Sequence, residues 1–206
     1  MTFQATVTSA SEKVAINGYN YDSADVASIT IGTGENVINL YYTKRTDLSY
    51  TVNYLEKGSN TKLHEPKTVS KMTFESTVTS STEVISIDGY NYNSASATSI
   101  TIGTGSNVIN LYYTKRTDLK YTVNYLEKGT NKVLNTAKVN STATFGATIT
   151  AKSEAIKIDG YSYDSASADS ITITTGTNTL TLYYTKVTGL SYTVNYLEKG
   201  TNNVLH

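Results

Sequence analysis

The side chains able to do chemistry in this chain are few in kind. There are eighteen tyrosines, two histidines, seventeen lysines and arginines, seventeen aspartates and glutamates, and no cysteine. His64 and His206 occupy equivalent places in a sequence that recurs along the chain, and the copy between them carries Asn135 there. A catalytic or metal-binding histidine would not be optional among copies that otherwise agree, so both read as surface residues. Without cysteine or a second nearby histidine, zinc and copper have no ligand set. Asp22-Ser23-Ala24-Asp25 lacks EF-hand spacing, and its first position becomes Asn93, so it reads as a turn. Gly32-Thr33-Gly34 is too short for a phosphate loop and also reads as a turn. The residues therefore predict no enzyme, no catalytic or metal site, and no cofactor.

Two kinds of chemistry remain open. Tyrosine joins an apolar ring to a hydroxyl that needs a partner, which suits half-buried core and rim positions. The sharper reading is a stacking platform for sugar rings, with Tyr41, Tyr112 and Tyr183 as the ligand-binding candidates because their strand phase points outward. Glu56-Lys57 recurs in every copy and reads as a solvated strand end. Its alternative is an intramolecular Lys–Asn isopeptide bond, with Lys44 or Lys57 and Asn53 as candidates, which requires lysine, asparagine and a carboxylate buried together.

These residues are distributed by a fixed period. Tyr50-Thr51-Val52-Asn53-Tyr54-Leu55-Glu56-Lys57-Gly58 recurs letter for letter from Tyr121 and again from Tyr192, a spacing of 71 residues each time. Residues 1–49 match 72–120 at 35 of 49 ungapped positions. Such a period marks an array of one structural unit. The expected divisions are 1–49 (a first copy without its opening strands), 50–120, 121–191, and 192–206 (the first strand of a fourth copy). Met1 aligns with Met72 in mid-copy, and the end at His206 is equally abrupt. A fragment of a longer array is the expectation. At about 71 residues, a unit sits near the lower limit for a self-sufficient core.

Positive and negative residues balance to a net charge of zero, and no basic run or stripe is present. Nucleic-acid binding would leave such a footprint, so none is expected. No stretch of 18 apolar residues exists, so no direct membrane insertion is expected, and no export signal is visible at the start.

The polar β-branched composition favours strands. Tyr50, Val52 and Tyr54 alternate with Thr51 and Asn53, the pattern of a half-buried strand, with a turn at Gly58-Ser59-Asn60. A second strand is expected over 61–69, where Pro66 indicates a sheet edge or bulge. Phe3 with Val7, Phe74 with Val78, and Phe145 with Ile149 fit one face of a short helix or helical turn. Alternation also fits these residues, and their threonine content disfavours a helix. Val14 and Ile16 lead into a turn at Asn17-Gly18 and then Tyr19-Asn20-Tyr21; Ile29 and Ile31 mark a brief strand. Val37–Lys44 is the longest strand. Ile38 and Leu40 become Leu180 and Leu182, whereas Val37 and Asn39 become Thr179 and Thr181, so the first pair faces the core. Only Arg45-Thr46-Asp47-Leu48-Ser49 separates this strand from the next copy, which predicts stiff joints and an elongated rod.

The order of elements Tyr121–Leu134, Phe145–Ile149, Ile158-Asp159-Gly160-Tyr161 and Leu182–Lys186 resembles the mucin-binding-protein (MucBP) type repeats of Gram-positive surface proteins. The resemblance implies a mostly β, α+β fold. It consists of tandem β-grasp-like repeats, each a small mixed sheet with one short helical element. It also implies an exported, extracellular parent at the cell surface or cell wall, whose repeats act as a stalk, an adhesive surface, or both.

A structural stalk segment, projecting another region, is the leading functional expectation. The alternatives are multivalent repeats that bind host or environmental glycans or surface proteins, and a filament built head to tail by strand donation. Near-identical neighbours also predict slow, heterogeneous refolding through swapped pairings.

Overall fold

The computed structural model describes Met1–His206 in full. Two compact units divide the chain, Met1–Lys115 and Arg116–His206.

The first unit begins with β1 (Thr6–Thr8), β2 (Tyr19–Ala24), β3 (Ser28–Thr30) and β4 (Leu40–Lys44). It continues with β5 (Leu48–Glu56), β6 (Lys62–Met72), β7 (Thr77–Thr79), a 3-10 turn (Ser80–Glu83), β8 (Tyr90–Ala95), β9 (Ser99–Thr101) and β10 (Val108–Lys115). The second unit holds β11 (Leu119–Glu127), β12 (Val133–Ala143), β13 (Thr148–Thr150), the short helix α1 (Ala151–Glu154), β14 (Tyr161–Ala166), β15 (Ser170–Thr172) and β16 (Thr179–Lys186).

Each unit contains one four-stranded mixed sheet, ordered β6-β5-β10-β8 in the first and β12-β11-β16-β14 in the second. The central pair is parallel and both flanking pairs are antiparallel. The register repeats with the sequence: Val52 stands opposite Ile109, and Val123 opposite Leu180. Alternation explains why these strands form. On β5 the residues Leu48, Tyr50, Val52 and Tyr54 are buried, and on β10 Ile109, Leu111 and Tyr113 meet them. The short ribbon β7-β9 contributes Val78 and, just past its end, Ile102 contributes too. The second unit repeats this core around Val123, Tyr125, Leu180, Leu182 and Tyr184. Pro66 lies on β6, an edge strand, at a register shift between Val52 and Tyr54 that accommodates its missing N–H; the same shift recurs between Val123 and Tyr125, where Ala137 takes its place.

The phenylalanine segment differs from the helical expectation. Phe74 lies within a turn and Val78 is the inward residue of β7, with Thr77 and Thr79 outward. The helical turn comes directly afterwards, at Ser80–Glu83 and Ala151–Glu154. Threonine at alternate positions suits a pleated strand, and a strand this short needs its partner β9 to exist. The Val14–Ile16 stretch is not a strand. Its backbone is held by the Tyr42 hydroxyl, which accepts from Val14 N and donates to Val14 O at 3.1 and 2.9 Å. Tyr113 with Ile85 and Tyr184 with Ile156 repeat this double contact.

The ends of the chain behave differently from its middle. β1-β3 and β2-β4 are separate two-stranded ribbons, and Ile31, Ile38 and Leu40 are only half-buried. Residues 187–206 carry a single bridge, Leu197 to Val204.

Candidate functional site

A buried carboxylate fixes the helical turn of each complete sheet. Glu83 accepts from the Tyr50 hydroxyl at 2.8 Å and from Lys67 Nζ at 2.7 Å, and it is 6% exposed. Glu154 repeats the arrangement with Tyr121 at 3.1 Å and Lys138 at 2.6 Å. Burial alone would push the Glu83 carboxyl up. The hydrogen bonds from Lys67 and Tyr50 outweigh it and hold the group below its ordinary range. No buried polar side-chain atom of this cluster lacks a partner, which suits a structural anchor. The recurrence of Glu at 12, 83 and 154 was the sequence signal for it. Its partners lie 33 and 16 positions away, so the signal could not be decoded locally.

A second recurring device is asparagine 36, 107 or 178. Asn107 Oδ1 accepts from Gly103 N at 2.8 Å, while its Nδ2 donates to Ser49 O at 3.0 Å, tying the Gly-Thr-Gly break to the start of β5. Asn178 binds Thr174 N and Lys120 O in the same way.

The joint between the first two copies is built from side chains that the sequence reading placed elsewhere. Phe74 lies against the Gly18-Tyr19 turn, its ring edge-on to Tyr19 with centroids 5.6 Å apart. Gly18 has φ +81°, and a Cβ there would sit 2.3 Å from Phe74 Cε1, so only glycine admits the ring. The Arg45 backbone bridges both sides: its N–H donates to Gly18 O at 2.9 Å and its carbonyl accepts from Phe74 N at 2.8 Å. Its guanidinium holds Asp47 through two hydrogen bonds of 2.9 and 2.8 Å. That pairing keeps the Asp47 carboxyl below its ordinary range.

Lys44 reaches Glu75 at 2.9 Å. Glu75 does so from φ +64°, a conformation uncommon outside glycine. Thr104 donates to Asn17 Oδ1 at 2.8 Å. In the second unit Arg116 clamps Asp118 with two bonds of 2.9 Å, and Phe145 N donates to Arg116 O at 2.9 Å. Val187-Thr188-Gly189 replaces Arg-Thr-Asp at the following joint.

Tyr112 and Tyr183 lie on the outward face of their sheets, half-buried beside Leu55 and Leu126 respectively. Next to Tyr112, the Asn53 amide donates to Asn110 Oδ1 at 2.8 Å. Tyr41 is 51% exposed, with no strand on the side where Leu55 flanks Tyr112. The isopeptide candidates are not brought together. Asn53 meets Asn110, Lys44 meets Glu75, and Lys57 is exposed and hydrogen-bonded to Asn93 Oδ1 at 2.5 Å. The sheet's pleat explains this, because Asn53 projects to one face while Lys57 lies beyond the strand end. His64 is exposed on β6, its ring edge-on to Tyr54.

No family model and no curated protein matches the sequence. Solved structures that are similar include domains 3-4 of the Streptococcal High Identity Repeats in Tandem (SHIRT) from a cell surface protein. That match has 17% identity and a TM-score of 0.28, over 68% of this chain and 98% of the other. Mub-RV is similar at 12% identity and a TM-score of 0.25, over 68% and 100%. The type 2 repeat of the mucus binding protein MUB from Lactobacillus reuteri is similar at 13% identity and a TM-score of 0.25, with the same coverage.

Proposed function

We propose that this chain is a non-catalytic segment of an adhesin-like protein at the bacterial cell surface or wall. Its β-grasp-like copies of about 71 residues serve as a stiff spacer that holds another region away from the cell. One observation carries this reading, the joint in which Phe74 occupies the space left by Gly18. β4 ends at Lys44 and β5 begins at Leu48, and the intervening backbone is hydrogen-bonded on both sides. A joint so short and so engaged resists bending, and stiffness is what a stalk needs. The joint side chains that recur from copy to copy serve length, not chemistry.

Small-angle X-ray scattering tests it. Three copies end to end should give a maximum dimension on the order of 100 Å, from strands of about 8 residues rising about 26 Å. A compact profile would remove the spacer reading.

A second reading is favoured by Tyr112, whose ring lies beside an amide pair on an open sheet face, with Tyr183 in the same register in the second unit. A ring flanked by amides is suited to a saccharide, and repetition would add avidity to weak single sites. Binding to a glycan array should then strengthen from two copies to three and fall on Tyr112→Ala with Tyr183→Ala. A signal independent of both changes would dismiss it.

A further inference from the structure

The chain enters each four-stranded sheet on one strand of its central pair and leaves on the other. In the first unit it comes in at Leu48 on β5 and goes out at Lys115 on β10; in the second it comes in at Leu119 on β11 and goes out at Lys186 on β16. The two strands of each pair are parallel neighbours, so entry and exit lie at opposite ends of one seam. Only Arg45-Thr46-Asp47 separates β4 from β5, and only Arg116-Thr117-Asp118 separates β10 from β11. Tension along the backbone therefore reaches a seam with few residues that could straighten first.

We propose that this seam is a shear clamp, and that bearing tension along the chain is a further function of each sheet. A pull between Leu48 and Lys115 draws β5 and β10 in opposite directions along their length. Six residue pairs, from Thr51 with Val108 to Glu56 with Tyr113, are then loaded together and not one after another. Neither strand can leave without shearing all of them, because β6 and β8 hold only the outer edges. Parallel strands space their hydrogen bonds evenly, which shares the load. That the load arises in use rests on the spacer reading above; the resistance itself does not.

Ties cross the seam at both ends, and in both units. At the entry end the Thr51 N–H donates to Asn107 O at 2.9 Å, while Asn107 Nδ2 donates to Ser49 O at 3.0 Å. Thr122 with Asn178, and Asn178 with Lys120, repeat these bonds at 2.9 Å each. At the exit end the Lys57 N–H donates to Tyr113 O at 2.8 Å, and the Lys128 N–H to Tyr184 O at 2.9 Å. Lys115 pairs with Glu56 at 3.7 Å, and Lys186 with Glu127 at 3.4 Å, across that same end. Both faces of the seam are covered. Val52, Tyr54, Ile109 and Leu111 are at most 2% exposed on one side, and Leu55 and Tyr112 lie half-buried on the other. Water has to reach the seam to replace its hydrogen bonds, and these side chains keep it out. A unit of about 71 residues has only a modest core, but its lifetime under load follows the unfolding rate and not the equilibrium stability.

Single-molecule force spectroscopy on the whole chain, held by its two termini, tests this. One resolved event per four-stranded sheet is expected, the two at similar force, each lengthening the chain by about 200 Å. The chain has no cysteine, so a pair of introduced cysteines can redirect the pull. Handles at Ser49→Cys and Ser106→Cys, both exposed and both at the entry end, open the seam one pair at a time and should lower the force several-fold. Lys57→Pro removes the N–H that reaches Tyr113 O, and proline suits the turn that follows β5. It should weaken one of the two terminal-pull events and leave the other, whereas Lys57→Ala, which keeps the N–H, should weaken neither. Equal forces in the two pulling directions would overturn the proposal, as would a chain that extends from its termini without resolved events. A weak seam in a particle that scattering shows to be elongated refutes the clamp alone. A strong seam in a compact particle refutes the spacer alone.

Discussion

Val37–Lys44 and Val108–Lys115 are the same eight letters, Val-Ile-Asn-Leu-Tyr-Tyr-Thr-Lys, and they do not have the same structure. The second forms an eight-residue strand with Ile109 and Leu111 fully buried. The first forms only Leu40–Lys44, and Ile38 and Leu40 remain half-buried. The difference is the neighbour. β10 lies between β5 and β8, whereas β4 has β2 alone. Strand preference is therefore a statement about surroundings here, because the same octapeptide is a core strand or a ribbon according to who sits beside it. The nonapeptide starting at Tyr50 makes the same point from the other side. Its first seven residues fall within β5 and β11, but from Tyr192 they form no strand and are exposed.

The largest expected effect breaks this pair apart directly. Leu111→Ala removes a fully buried side chain between two strands and should cost about 2–5 kcal/mol. Leu40→Ala, the same substitution in the same octapeptide, should stay within about 1 kcal/mol because its surroundings are open. Native-state hydrogen exchange on the whole chain reads both. The amides of β5 and β10 should lose protection in Leu111→Ala and keep it in Leu40→Ala. Equal losses would mean that the first copy closes its core in solution.

A middle-sized effect comes from the carboxylates. Glu83 sits under Tyr50 and Lys67, while its counterpart Glu12 is exposed, with Ser11 Oγ at 3.2 Å. Tyr50→Phe should cost about 1 kcal/mol, the net worth of one hydrogen bond to a buried group, or somewhat more because the acceptor is charged. Glu12→Gln should cost almost nothing. The pH dependence follows from the sign. Glu83 titrates lower in the fold than its ordinary value of 4.5, so the folded state favours the ionised form. Its contribution is fully present above that value and is lost as pH falls through the lowered one. Urea midpoints measured from neutral to acid pH should therefore drop, and Glu83→Gln should flatten the part of the drop assigned to this group.

The strand phases were legible because the copies differ where exposure permits. Threonine replaces Val37 and Asn39 at 179 and 181, but only leucine replaces Ile38 and Leu40. The helical reading of Phe74 with Val78 was misled by a spacing with two causes. Phe74 packs against both Tyr19 of the preceding copy and the edge of its own core, while Val78 lies inside that core as part of a short strand. Nothing local distinguishes that from a helix face. The roles of Glu83 and Asn107 were invisible for a related reason, since each acts on backbone or side chains far along the chain. Strand phase put Tyr112 and Tyr183 on the outward face, where they lie half-buried between buried neighbours, and phase does not bear on whether they bind a ligand.

The most local effect separates joint from copy. Gly18 and Gly58 both have positive φ, +81° and +91°, so alanine at either is strained and should cost about 1 kcal/mol or slightly more. Around Gly58 no atom lies within 4 Å of the added Cβ, whereas at Gly18 the Phe74 ring is in the way. Strain is thus common to both substitutions, and displacement of the ring belongs to Gly18→Ala alone. The Phe74 amide, bound to Arg45 O, is the reporter. Its exchange should quicken in Gly18→Ala and stay unchanged in Gly58→Ala, while the amides of β5 hold their protection in both. If the Phe74 amide responds equally to the two changes, the ring does not lock the joint. Stiffness would then have to come from the three-residue connection, Arg45-Thr46-Asp47, itself.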